Sequence, residues 1–321
     1  MKINKKLKIA IISVISLIFI IWLGTMVVSY YVGYNLTHPK RKAITKTPDS
    51  YNLAYHDITF PSRIDHLKIK GWLIPADSAT HKIVIEAHGY RDNRSDIKAT
   101  LPVAAALHRA GFSVLMFDFR DEGNSPGKIV SVGEYETRDL LGAVDFAKSL
   151  KYKHIGVIGY SMGASTAILA AGKDTVISAV IADSPFANLH RYLAKHMPHW
   201  TNLPDFPFTQ EILWELNAFY GLNPDNVAPD HTLLHWIPRP ILLIAGTADR
   251  TIPMRNSKLL YSEIKSEPNA HIWIVKGAKH VGAFNIRPHK YLHKIISFFT
   301  KYLETHHQNK IVESHLVSPS T

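Results

Sequence analysis

Residues 154–172 read HIGVIGYSMGASTAILAAG, and this stretch decides the fold. Its first seven residues form a short apolar run of the length of a buried strand. The residues after Ser161 are small and aliphatic with no Gly-Pro break, the pattern of a buried helix. Between the two lies Gly159-Tyr160-Ser161-Met162-Gly163, a G-x-S-x-G sequence in the strand–turn–helix setting that the motif requires. A serine there occupies a strained turn with its hydroxyl raised above the sheet edge. The flanking glycines let backbone pass where a side chain would clash. The helix N-terminus aims free N–H groups and partial positive charge at an anion forming on a bound substrate. Ser161 is therefore the candidate nucleophile, and the Met162 N–H a candidate oxyanion donor.

Outward from this stretch, apolar runs alternate with helical patterns. Strands are predicted at 82–87, 113–119, 176–182, 241–245 and 271–275, and helices at 98–110, 132–150, 254–264 and 289–303. The strands are rich in Val, Ile and Leu without clean alternation, as in sheets covered on both faces. The expected architecture is α/β, a doubly wound, mostly parallel sheet of right-handed βαβ units. Runs at 55–60 and 66–74 predict an antiparallel opening pair. Sites in such sheets form at the carboxyl ends of the strands.

A serine hydroxyl is a weak nucleophile and needs a general base, itself oriented by an acid. The run ILLIA ends in Gly246-Thr247-Ala248-Asp249, and the run HIWIV ends in Gly277-Ala278-Lys279-His280. Both side chains follow strand ends on the same predicted edge as Ser161. His280 is the candidate base and Asp249 the candidate acid. Asp183, which ends the run VISAVIA, is the other acid that position allows. The strand KIVIEA leads into His88-Gly89-Tyr90, a turn that can supply the second oxyanion donor through the Tyr90 N–H. His88 itself reads as a structural, hydrogen-bonding residue.

Six segments in order, HGYRDNRS, FDFRDEGNSPG, GYSMGAS, IADSPF, PILLIAGTADRTIP and GAKH, resemble the α/β-hydrolase superfamily over about 51–303. The closer likeness is to bacterial esterase-like and prolyl-oligopeptidase-like hydrolases, among them membrane-bound cell-surface hydrolases of Gram-positive bacteria. That resemblance implies the chain order Ser, acid, His and hydrolysis of an ester or amide without a cofactor. Carboxylic-ester cleavage through an acyl-enzyme is the leading expectation. A peptidase of the prolyl-oligopeptidase type, an acyltransferase and an inactive surface binding module are the alternatives. Asp121 departs from the family pattern, standing where relatives carry glycine.

Residues 9–31, IAIISVISLIFIIWLGTMVVSYY, carry no charge. As a helix they would span about 35 Å, enough to cross a hydrocarbon core of about 30 Å. The run is longer than the apolar region of a cleaved signal peptide and no small-x-small site follows, so a transmembrane anchor is expected. Tyr30, Tyr31 and Tyr34 suit the interface. Lys2, Lys5, Lys6 and Lys8 favour an N-inside orientation with the catalytic domain outside the cytoplasm. The organisation expected is a basic segment at 1–8, the anchor at 9–31, a linker at 32–50, the hydrolase domain at 51–304 and a polar tail at 305–321. A helical cap is expected within it at about 185–238. Phe186, Tyr192, Trp200, Phe206, Phe208, Trp214, Phe219, Tyr220 and Trp236 fall there, suited to roofing a pocket for an apolar group.

The net charge of +11 does not point to nucleic acid. Residues 1–46 hold 8 of the 37 basic residues and no acidic one, leaving 29 basic against 26 acidic. The excess flanks the apolar run, where anionic lipid attracts it. With no cysteine in the chain, a disulfide framework, a Cys nucleophile and a thiolate metal site are excluded. No metal or other cofactor is expected, and the sequence leaves the oligomeric state open.

Overall fold

A computed structural model describes residues 4–236 and 239–304; the tail expected at 305–321 lies outside the described residues. The chain begins with α1 (Lys5–Thr37), then β1 (His56–Pro61), β2 (Lys68–Ile74), β3 (Lys82–Ala87), α2 (Thr100–Arg109) and β4 (Ser113–Phe117). There follow α3 (Glu136–Ser149), β5 (His154–Tyr160), α4 (Met162–Lys173) and β6 (Ile177–Asp183). Next come α5 (Leu189–Thr201), α6 (Phe208–Tyr220) and α7 (Pro229–Leu234). The chain closes with β7 (Ile241–Gly246), α8 (Arg255–Ile264), β8 (Ala270–Val275), α9 (Ala283–Ile286) and α10 (Pro288–Glu304).

Among the described residues, eight strands form one sheet in the order β1-β2-β4-β3-β5-β6-β7-β8. The first two pairings, β1 with β2 and β2 with β4, are antiparallel, and all others are parallel. Strand period decides which helices cover which face. Ile83, Ile85 and Ala87 of β3 point into a core with α3, α4 and α8, while Val84 points into a core with α2 and α10. Both faces are therefore dry, and this is why the strands lack an alternating sequence. After β3 the chain moves to β4 on one side and then to β5 on the other. The order reverses between β3 and β5, and such a reversal opens a crevice at the carboxyl ends of the strands.

Two elements differ from their sequence outline. The first helix continues to Thr37, six residues into the stretch expected as linker. Its inner side carries Thr25, Ser29, Gly33 and Thr37 at four-residue spacing, a small-residue stripe that lets α6 approach. A Cβ added at Gly33 would lie 3.6 Å from the Tyr220 ring. Within the insertion, α5 and α6 cover the carboxyl edge, but α7 does not act as cap. Leu233 and Trp236 are buried in the main core. Thr232 packs so closely on α4 that a Cβ at Gly172 would sit 2.2 Å from its methyl carbon.

Candidate active site

Ser161 stands between β5 and α4 with φ 55° and ψ −116°, a backbone region that costs an L-residue roughly 1–3 kcal/mol. Surrounding bonds hold it there: its N–H donates to the Asp183 carbonyl at 2.8 Å, and its own carbonyl accepts from Ala164 N at 3.0 Å. The turn is tight enough to require both motif glycines. A Cβ at Gly159 would lie 2.1 Å from the Gly163 oxygen, and one at Gly163 2.2 Å from the Ala87 oxygen. Gly163 thus brings the start of α4 against the end of β3, where the other oxyanion turn begins.

His280 Nε2 lies 2.8 Å from Ser161 Oγ, and His280 Nδ1 lies 2.8 Å from Asp249 Oδ2. The second carboxylate oxygen of Asp249 accepts from Thr251 N at 2.9 Å and Ile252 N at 2.8 Å. The Asp249 side chain is almost wholly buried, whereas the imidazole is partly open. The loops that carry them are clamped together, since a Cβ at Gly246 would lie 2.1 Å from the Ala278 oxygen. The structure therefore brings together the three side chains expected from sequence, far apart in the chain.

Asp183 is not a partner of His280. Its carboxylate accepts from Tyr291 Oη at 2.8 Å and Ser184 Oγ at 2.9 Å. Complete burial pushes its pKa up to about 6. Ser184 Oγ in turn accepts from Val281 N at 3.2 Å, so Asp183 underpins the histidine loop from below.

Tyr90 and Met162 both line a cavity beside Ser161, and neither N–H has a protein partner among the described residues. Gly89 lies close to the serine, a Cβ there falling 3.3 Å from the Ser161 Cβ. His88 is structural, as expected: Nδ1 donates to the Gly89 carbonyl at 2.8 Å and Nε2 accepts from Phe119 N at 3.0 Å. Burial lowers its pKa and favours this neutral form. Beneath it, Asp118 accepts from Arg94 N, Arg94 Nη2 and Asn124 N at 2.8–2.9 Å. A Cβ at Gly123 would fall 2.3 Å from the Asp118 carboxyl carbon, so the FDFRDEGNSPG loop wraps that carboxylate. Asp121 takes φ 57°, the left-handed region that suits glycine and that Asp tolerates. Arg41 holds it in an ion pair at 2.6 Å.

The cavity beside Ser161 is narrow, with a volume of about 80 Å³. Its walls are mostly apolar, including Phe186, Tyr192, Met197, Trp200 and Ile252. Trp200 Nε1 donates to Tyr192 Oη at 2.9 Å, and Tyr192 Oη donates to the Thr251 carbonyl at 3.0 Å, which ties the cap to the Asp249 loop. Leu36 and Thr37, from the end of α1, also line it; sequence reasoning missed them.

Residues 130–306 match the prolyl oligopeptidase family. The chain belongs to that family. It is also 32% identical over 235 residues to the protein YqkD of Bacillus subtilis, covering 72% of this chain and 74% of that one. Among solved structures, the esterase Pf2001 of Pyrococcus furiosus superposes with a TM-score of 0.70 at 30% identity, covering 84% of this chain and 98% of that one. An acylaminoacyl peptidase of Pyrococcus horikoshii superposes with a TM-score of 0.60 at 19% identity, covering 83% of this chain and 44% of that one; this likeness is one of fold. This prolyl oligopeptidase family member thus has the α/β-hydrolase fold, and its family and structural relatives make it a hydrolase.

Proposed function

We propose that the chain is a membrane-anchored serine esterase acting through Ser161, His280 and Asp249. The reading rests on one observation above all: the continuous 2.8 Å relay from Ser161 Oγ through the imidazole to Asp249, at the mouth of an apolar cavity. Ser161 Oγ attacks the ester carbonyl carbon while its proton passes to His280 Nε2. The carbonyl oxygen becomes an anion facing the Tyr90 and Met162 N–H groups, an arrangement worth about 10²–10³ in turnover per donor. His280 then gives the proton to the departing alkoxide, and an alcohol leaves. Water attacks the acyl-enzyme, loses its proton to His280, and the carboxylic acid departs as Ser161 recovers that proton. Asp249 keeps Nδ1 protonated and stabilises the imidazolium at each stage. No step calls for a cofactor.

The ester reading is favoured over peptide cleavage by the apolar cavity, which offers an acyl chain burial. α1 is long and apolar enough to cross a membrane, and Lys2, Lys5, Lys6 and Lys8, at and just before its N-terminal end, support an outward-facing catalytic domain. The test is a panel of p-nitrophenyl esters of graded acyl length beside aminoacyl-anilides, with Ser161→Ala as control. Ester turnover that disappears in Ser161→Ala is expected. Anilide turnover without ester turnover would put a peptidase in its place.

A further inference from the structure

The transmembrane helix is also a wall of the catalytic cavity. Residues 9–24 of α1 are uncharged and exposed on every side, and as helix they measure about 24 Å, most of the roughly 30 Å thickness of a hydrocarbon core. From Thr25 onward the same helix is fastened to the cap. Thr25 Oγ1 and Ser29 Oγ each donate to a carboxylate oxygen of Glu211 at 2.8 Å. Tyr220 Oη donates to the Tyr30 carbonyl at 3.2 Å. Glu211 and Tyr220 lie at the two ends of α6, so α6 is fixed where α1 leaves the bilayer.

The outer side of α6 suits that position. Trp214 and Phe219 are 56% and 57% exposed, with ring centroids 5.6 Å apart. Phe219 also meets Tyr30 edge-on at 5.7 Å. Exposed aromatics at this level form an interfacial belt continuous with Tyr30, Tyr31 and Tyr34. On its inner side α6 gives Leu216 to the cavity, beside Leu36 and Thr37 of α1 and within the same space as Ser161. The oxyanion turn is fastened to this wall as well, because Tyr90 Oη donates to the Leu36 carbonyl at 2.6 Å.

We propose that α6 meets the bilayer surface and that the substrate is a long-chain monoacyl ester taken from that bilayer, its chain lying in the cavity against Leu216 of α6 and Leu36 and Thr37 of α1. This rests on the esterase and anchor readings above and specifies their substrate class.

The full chain is reconstituted in phosphatidylcholine vesicles containing a long-chain monoacylglycerol and assayed beside soluble p-nitrophenyl butyrate. The double variant Trp214→Ser/Phe219→Ser is expected to lose at least tenfold in kcat/KM on the embedded ester while changing less than twofold on the butyrate. Equal loss on both substrates, or loss on neither, overturns the proposal. A second measurement is independent of turnover. The chain has no cysteine, so Trp214→Cys and, as control, Glu263→Cys on α8 each accept one bimane label. Spin-labelled phosphatidylcholine is expected to quench the label at 214 and not at 263. Absence of quenching at 214 overturns the bilayer contact. Failure of the esterase reading looks different: butyrate itself is then not hydrolysed.

Discussion

Replacing Asp249 by asparagine separates the charge of this residue from its shape. In one orientation the amide oxygen takes the place of Oδ1 and keeps both bonds from Thr251 N and Ile252 N, at 2.9 and 2.8 Å. The amide nitrogen then faces His280 Nδ1, where a carboxylate oxygen stood at 2.8 Å. In the flipped orientation the nitrogen would face two N–H donors and leave both without acceptors, at about 1–3 kcal/mol each. The first orientation therefore wins, and it supplies a donor to Nδ1. His280 must then carry its proton on Nε2, 2.8 Å from Ser161 Oγ, and cannot accept the serine proton. Turnover is expected to fall about 10⁴-fold, a barrier increase of about 5.4 kcal/mol. Stability should stay within about 1 kcal/mol, because the loop keeps both of its backbone bonds. The assay is kcat on p-nitrophenyl butyrate with urea unfolding in parallel. Asp183→Asn, which removes a charge that does not touch His280, should cost less than tenfold. Turnover of Asp249→Asn within tenfold of wild type would refute the reasoning, as would a greater loss in Asp183→Asn.

Gly163→Ala places a carbon 2.2 and 2.4 Å from the carbonyl oxygens of Ala87 and His88, which forces α4 and β3 apart. Overpacking of this kind costs about 1–3 kcal/mol, so a lowered Tm and a turnover loss of at least tenfold are expected; wild-type kinetics would contradict the close approach. Burial raises the Asp183 carboxyl from near 3.8 to about 6, so the folded protein holds this proton more tightly than the unfolded chain. Its contribution to stability is complete below pH 3.8 and lost as pH rises through about 6, a difference of about 3 kcal/mol. Unfolding curves of Asp183→Asn and wild type should therefore shift in the variant's favour by about that amount between pH 4 and 7. Parallel curves would contradict the raised pKa.

The parallel sheet and the three loop residues were legible because each depends on local pattern. A strand of six residues, a strained turn and a polar side chain just past a strand end all lie within a few positions of one another. The choice between Asp249 and Asp183 was not settled by the sequence, since both follow strands on the same edge. Tyr291, 108 residues from Asp183, decides what the second carboxylate does. The same distance limit hid the role of α1. Thr25 and Glu211 are 186 residues apart, and nothing in an apolar run announces that its last turns will line a cavity. The three cap-region tryptophans look alike in sequence, yet Trp200 lines the cavity, Trp236 is buried in the main core and Trp214 is exposed. Asp121 stood out as a departure from a family pattern; its positive φ is one that glycine adopts without cost, and its carboxylate is held by an ion pair with Arg41.

The central claim is that Ser161 is made nucleophilic by the His280–Asp249 pair. Mass spectrometry of the full chain after treatment with a fluorophosphonate tests it most directly. The account predicts one adduct, on the peptide containing Ser161, formed by the wild type and lost in both Ser161→Ala and His280→Ala. An adduct on another serine, or undiminished labelling of Ser161 in His280→Ala, would contradict it.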